Sequence, residues 1–214
     1  MCGVKIVSAS LLLSLVFCAS SCTRTRATEA DLLSTGLVGW QRIGGDEGAW
    51  HFADGVLRTD SAHGGWLATY RQYDNFALSV EFRVPPGAES GLFFRAPLEG
   101  DPAYTGVVIP LVDDDAARAR SATPYQYTGS IYGVQAPADR ASKPAGEWQK
   151  MVVIARGPQI QVGLNGRKIV DTDLTHHSHK AQTRPGLTRT GGYIGLQGSG
   201  VEFRNITIRE LPEI

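Results

Sequence analysis

From about residue 50 onward, apolar and polar side chains alternate along the chain far more often than they recur at helical spacing. The clearest run is Phe76 to Val84. Phe76, Leu78, Val80, Phe82 and Val84 share one face, and Ser79, Glu81 and Arg83 take the other. A period of two is the pleat of a strand with one side buried and the other in water. Pro85-Pro86-Gly87 stops the run, because proline has no N–H to give to a ladder. Gly91 to Arg95 reads as the next strand, with Leu92 and Phe94 toward the core and Phe93 and Arg95 on the opposite face. Further strands are expected over 148–156, 159–164 and 167–171, and then over 192–197 and 201–208. Between two of them stands Asn165-Gly166, a pair suited to a hairpin turn that needs positive φ twice. Asp114 to Arg120 could form a turn or two of helix, but no long helical pattern and no internal repeat stands out. Many short strands with turn punctuation predict an all-β sandwich or barrel.

The start of the chain follows different rules. Lys5 precedes an almost uninterrupted apolar run from Ile6 to Phe17, then come Ala19-Ser20-Ser21 and Cys22. A charged start, a short apolar run and a small-residue stop predict an export signal over residues 1–21. Small residues directly before a cysteine are the pattern of a bacterial lipoprotein, although Ala19 stands where leucine is usual, and a plain secretory cut nearby would also fit. Of three cysteines, Cys2 and Cys18 would leave with the signal, so no disulfide can staple the rest. Cys22 is then the expected lipidation site, with residues 22–36 as lipidated terminus and tether and 37–214 as the domain. The expected location is the cell envelope, either lipid-anchored with no membrane-spanning segment or secreted to the periplasm.

Charge narrows the partners. Lys and Arg together number 21, as do Asp and Glu, and no basic stripe interleaved with aromatics suggests nucleic acid. Neutral ligands fit better than charged polymers.

Several segments, in order, resemble the blocks of one family. They include Gly64-Gly65-Trp66-Leu67, Ser90-Gly91-Leu92-Phe93-Phe94-Arg95, Gly129-Ser130-Ile131-Tyr132-Gly133-Val134, and Lys143 to Trp148. Leu164-Asn165-Gly166, Gly192 to Gln197 and Val201 to Ile206 continue the match. The chain thus resembles the 3-keto-disaccharide hydrolase family, also described as 3-keto-glycoside lyase and hydratase, from about Gly39 to Leu211. The resemblance implies a concanavalin-A-like jelly roll of two curved antiparallel sheets, with sugar on the open concave face. It also implies a reaction. A partner dehydrogenase first oxidises the sugar at C3, and the ketone acidifies the C2 proton. A base removes that proton, the group on C1 leaves, and water adds back. Such a site needs a base near C2, a stabiliser for the enolate and an acid near the leaving oxygen.

Two residues are the catalytic candidates. Arg95, expected on the open face, could stabilise an enolate, or could be a surface arginine paired with Glu81 or Glu99. Asp113 ends the run from Val107, and could instead cap a turn. In relatives this strand usually reads Gly-x-Glu-x-Gln-x-x-Asp. Here Gly106 and Asp113 remain, but Val108 and Pro110 stand at the Glu and Gln positions. Gly198 and Ser199 likewise follow Gln197 where relatives commonly carry Asp or Asn and His. Trp66, Phe93, Tyr132 and Gln197 are the expected substrate-binding residues, the aromatics for stacking and the amide for hydroxyls, each with a core or surface alternative.

No cofactor and no metal site is predicted. His176, His177 and His179 lack a carboxylate or cysteine at ligand spacing, and a divalent cation at Asp113-Asp114-Asp115 is possible without being supported. Three readings follow: a 3-keto-glycoside-cleaving enzyme, a non-catalytic carbohydrate-binding module of the same fold, and a surface domain with no sugar ligand.

Overall fold

The structure, a computed structural model, describes residues 28–59, 64–116 and 121–213. The signal segment, Cys22 and residues 117–120 of the expected helical turn lie outside the described residues. Among the described residues, thirteen strands form two antiparallel sheets. The first six are β1 (Ala30–Asp31), β2 (Trp40–Ile43), β3 (Trp50–Ala53), β4 (Val56–Thr59), β5 (Trp66–Tyr73) and β6 (Phe76–Arg83). Next come β7 (Glu89–Ala96), β8 (Val107–Val112), β9 (Gln149–Arg156) and β10 (Gln159–Leu164). The last three are β11 (Arg167–Asp173), β12 (Gly192–Gln197) and β13 (Glu202–Glu210). The eight-stranded sheet runs β11-β10-β9-β6-β13-β4-β3, with β1 also on β13, and the five-stranded sheet runs β2-β5-β12-β7-β8.

The strongest pattern in the sequence sits at the centre. β6 lies between β9 and β13, and Phe76, Leu78, Val80 and Phe82 are all fully buried. From the facing sheet, Leu92 and Phe94 of β7 reach the same core, and the Phe76 and Phe94 rings meet edge to face with centroids 5.8 Å apart. Each such side chain contributes roughly 1.5–3 kcal/mol when taken out of water. The hairpin between β10 and β11 turns at Asn165 and Gly166, whose φ angles of 51° and 84° are both positive.

The domain begins earlier than the sequence suggests. Ala30 and Asp31, assigned above to the tether, pair with Ile208 and Thr207 of β13, and Leu33 is buried in the core. Two residues are too short to show alternation, so the strand left no pattern to read. The short helix α1 (Pro102–Thr105), capped by Asp101, was equally silent. β8 reads as an unbroken apolar run because both its faces are covered. It is also an edge strand, where Pro110 is tolerated. The segment 128–132 covers that edge: Gly129 donates to the Pro110 carbonyl and Tyr132 to that of Val108.

Candidate saccharide site

A cleft of about 570 Å³ opens over the outer face of the five-stranded sheet. Its floor follows from strand parity. Residues whose neighbours point into the core must themselves point out: Trp66 and Ala68 on β5, Gly91 and Phe93 on β7, Val108 and Pro110 on β8, Gln197 on β12. Trp66, Ala68, Phe93, Ala96 and Val108 form a small apolar cluster separate from the main core. The Trp66 and Phe93 rings meet edge to face at 5.9 Å and 61°. Both are nearly covered, at 7% and 4% exposure, so they serve as a floor more than as open stacking faces.

Missing side chains shape the floor as much as the rings do. A Cβ on Gly195 would stand 2.4 Å from Cε3 of Trp66, so only glycine lets the indole lie across β12. A Cβ on Gly91 would come within 3.2 Å of the Phe93 ring and 3.4 Å of Gln197 Oε1, so both side chains lean over the bare backbone of Gly91. Gly198 backs onto Gly64 so closely that a Cβ would sit 2.6 Å from the Gly64 Cα. An Asp or Asn at position 198, as the family resemblance led one to expect, does not fit there without moving this backbone.

The walls come from loops. Asp101 Oδ1 accepts from the Ala103 N–H at 2.9 Å and fixes α1, which presents the exposed Tyr104. Across from it stands the half-buried Tyr132. The Arg184 guanidinium lies 5.0 Å from the Tyr104 ring centroid and 4.9 Å from that of Tyr132, and donates to the Ala103 carbonyl at 3.3 Å. One cation therefore ties two tyrosine walls together. Lys180 adds a bond to the Gly133 carbonyl at 2.9 Å.

The expected substrate residues Trp66, Phe93, Tyr132 and Gln197 all line this one cleft. So do Val108 and Pro110, the two positions where the family resemblance led to an expectation of Glu and Gln, and they bring no proton-transferring group to the cavity.

Arg95 does not lie where alternation puts it. Between β7 and β12 the register jumps, with Ala96 opposite Tyr193 but Phe93 opposite Gly195. An extra residue on β7 makes a bulge, and Arg95 there takes a φ of 53°. Its side chain turns away from the cleft and is 1% exposed. Nη2 donates to the carbonyls of Asp74 and Gly157 at 3.2 and 2.7 Å, and Nη1 to that of Arg189 at 3.3 Å. Nε is buried without a partner. Burial pushes the guanidinium's pKa down, with nearby Asp74 opposing. Arg95 pairs with neither Glu81 nor Glu99 in the way foreseen; Glu81 accepts from Arg204 instead.

Asp113 caps a turn. Its two carboxylate oxygens accept from Gly87 N at 2.8 Å and Asp115 N at 3.1 Å. It borders a hollow of about 260 Å³ that adjoins the cleft through Glu89, Val112 and Gln126. Asp114 is buried and holds the next loop, accepting from Thr128 N and the Ser142 hydroxyl.

Among the described residues, no group of three or more His, Cys, Asp or Glu side chains is placed to hold a metal. His176, His177 and His179 sit in a turn spanning Leu174–Lys180, where His177 Nε2 lies 3.2 Å from the Thr172 hydroxyl. Burial lowers the His177 pKa, and Lys180 lowers it further. A larger trough of about 730 Å³ lies on the outer face of the eight-stranded sheet, but no aromatic side chain lines it.

Sequence reasoning missed Glu89, Tyr104 and Arg184. Glu89 shares the parity of Gly91 and Phe93, and a strand begun two residues earlier would have exposed it. The other two sit on short irregular elements, where periodicity carries no signal.

Two antiparallel sheets packed face to face, with an aromatic-floored cleft over one of them, place the chain in the class of concanavalin-A-like β-sandwiches. Within that class, residues 32–209 match the 3-keto-α-glucoside-1,2-lyase-like domain, and the chain belongs to that family. It is 24% identical to a 3-keto-disaccharide hydrolase of Bacteroides thetaiotaomicron, over 81% of this chain and 74% of that protein. A crystal structure from Parabacteroides distasonis, described as a glycosyl hydrolase, superposes with a TM-score of 0.76 at 27% identity, over 86% of this chain and all 100% of that one. A carbohydrate-binding module of Bacillus subtilis shares the fold alone, with a TM-score of 0.50 at 14% identity, over 80% of this chain and 96% of that one.

Proposed function

We propose that the cleft binds a saccharide and that the protein cleaves glycosides already oxidised at C3, by elimination followed by hydration. One observation carries this reading. Four substrate candidates drawn from separate blocks of the chain converge on one cleft, over an aromatic floor and between tyrosine walls. Apolar surface with a few convergent polar groups suits a sugar ring, whose C–H face packs on rings while its hydroxyls find amide and carboxylate partners. Family membership and the named relative support the 3-keto chemistry. A dehydrogenase acting at C3 must then work upstream, and lipidation at Cys22 would hold the protein at the cell envelope.

The test mixes the protein with a 3-keto-disaccharide and, in parallel, its unoxidised parent. Release of monosaccharide from the keto sugar alone is the expected result. Val108 and Pro110 favour a second reading, a binding module that has lost its chemistry. Saturable binding of either sugar without release would establish that one.

A further inference from the structure

We propose that the cleft holds two sugar rings end to end, and that Gln126 donates a hydrogen bond to the second of them, the one that leaves. The inference rests on the reading of the cleft as a saccharide site and adds where each ring lies. In the β7–β8 register, Phe93 faces Val108, Gly91 faces Pro110 and Glu89 faces Val112. Both outer pairs line the cleft, so it runs along the strands. From the Phe93–Val108 pair to the Glu89–Val112 pair is four residues of strand, roughly 13 Å. One pyranose ring does not cover that distance, and a disaccharide does.

The two ends differ in chemistry. Tyr132 donates its N–H to the Val108 carbonyl, and α1, with Ala103 and Tyr104, stands just before β8. The tyrosine walls therefore enclose the Phe93 end. At the other end, the Thr128 hydroxyl accepts from Val112 N at 3.0 Å and donates to the Val112 carbonyl at 2.9 Å. That exchange brings the preceding turn, with Gln126, to the Val112 end, where Gln126 lines the cleft and is exposed. The walled aromatic end suits the ring that reacts, because excluding water strengthens every electrostatic interaction there. The open end suits the ring that leaves.

Gln126 is aimed as a donor before any ligand arrives. Its Oε1 accepts from Thr123 N at 2.9 Å and from the Thr123 hydroxyl at 3.1 Å. A backbone N–H can only donate, so the amide oxygen must face Thr123, and Nε2 keeps both hydrogens for a ligand. Hydroxyl, ring and glycosidic oxygens of a sugar are acceptors of the kind it needs.

The test compares a 3-keto-disaccharide with methyl 3-keto-glucoside, which has no second ring. Gln126→Met is expected to raise KM for the disaccharide about three- to tenfold more than for the methyl glycoside, the effect of one neutral hydrogen bond. The change should fall on KM and not on kcat. Gln126→Glu keeps an oxygen to accept from Thr123 N but brings no donor, so the same selective loss in that variant separates a lost donor from a loosened turn. An equal rise for both substrates in Gln126→Met, or no rise for either, would overturn the second-ring role and leave the proposed function standing. If the wild type releases monosaccharide from neither substrate, the proposed reaction falls. Kd from calorimetry then replaces KM: the same selective loss supports the subsite, and its absence overturns it.

Discussion

Arg95 Nη2 donates to the carbonyl of Gly157 at 2.7 Å, joining the five-stranded sheet to the turn between β9 and β10 of the other sheet. The same guanidinium holds the Asp74 carbonyl between β5 and β6, and the Arg189 carbonyl before β12. Three turns from distant parts of the chain thus share one buried donor, which explains an arginine at a site with almost no water. Replacing it leaves buried carbonyls unsatisfied. Arg95→Met is expected to lower stability by about 2–4 kcal/mol, read by denaturant unfolding. Arg95→Lys should fail to rescue it, because a point charge cannot span carbonyls that a planar fork reaches. Saccharide affinity per folded molecule should stay within about twofold. A large affinity loss with unchanged stability would contradict the clamp.

That residue also marks the boundary of what the sequence discloses. Alternation placed β6, β9, β10, β12 and β13 within a residue or two, because one face of each is buried and the other wet. It separated Phe93 from Leu92 and Phe94 correctly. It failed at Arg95 because a bulge inserts one residue and reverses the parity beyond it. Nothing local announces a bulge at a non-glycine position. The cleft floor was legible at Phe93 and Gln197, which lie on strands that the alternation marks, and at Trp66 only through the family resemblance. Its walls were legible only at Tyr132, because Tyr104 and Arg184 are placed by capping and cation–π contacts between loops.

The Gly195–Trp66 approach predicts a change in the floor without a change in the sandwich. A Cβ at position 195 would meet the indole at 2.4 Å, so the ring must tilt. Gly195→Ala should shift the tryptophan emission and weaken saccharide binding about tenfold. Stability should fall by about 1–3 kcal/mol, as overpacking does. Unaltered binding in a folded Gly195→Ala protein would show that the Trp66 floor does not touch the ligand.

Arg184 should act through the two tyrosines beside it. Arg184→Ala removes the cation between Tyr104 and Tyr132 and its bond to the Ala103 carbonyl. Freed walls are expected to raise KM about three- to tenfold with kcat little changed, since each cation–π contact is worth roughly 0.5–1 kcal/mol at a partly exposed site. A fall in kcat at constant KM would instead place Arg184 against the reacting atoms.

Ion pairs on the outer face of the eight-stranded sheet make part of the fold's stability acid-sensitive. Glu202 accepts from Arg58 and Arg83, and Glu81 from Arg204, with Trp148 stacked between the Arg83 and Arg204 guanidinium groups at 4.9 and 4.0 Å. Burial pushes both carboxyls up, but the arginine hydrogen bonds and charges outweigh it and hold both below the ordinary value of 4.5. A carboxylate whose folded pKa is depressed stabilises the native state fully above its unfolded value. That contribution fades as pH falls through the folded one. These pairs should therefore contribute constant stability down to about pH 5 and lose it below that. The pairs are partly exposed, so the total loss is about 1–2 kcal/mol after solvent screening. The double variant Glu81→Gln/Glu202→Gln should be less stable than wild type by that amount at pH 7 and converge on it in acid. Parallel stability curves from pH 7 to pH 3 would mean that the network contributes nothing to the acid response.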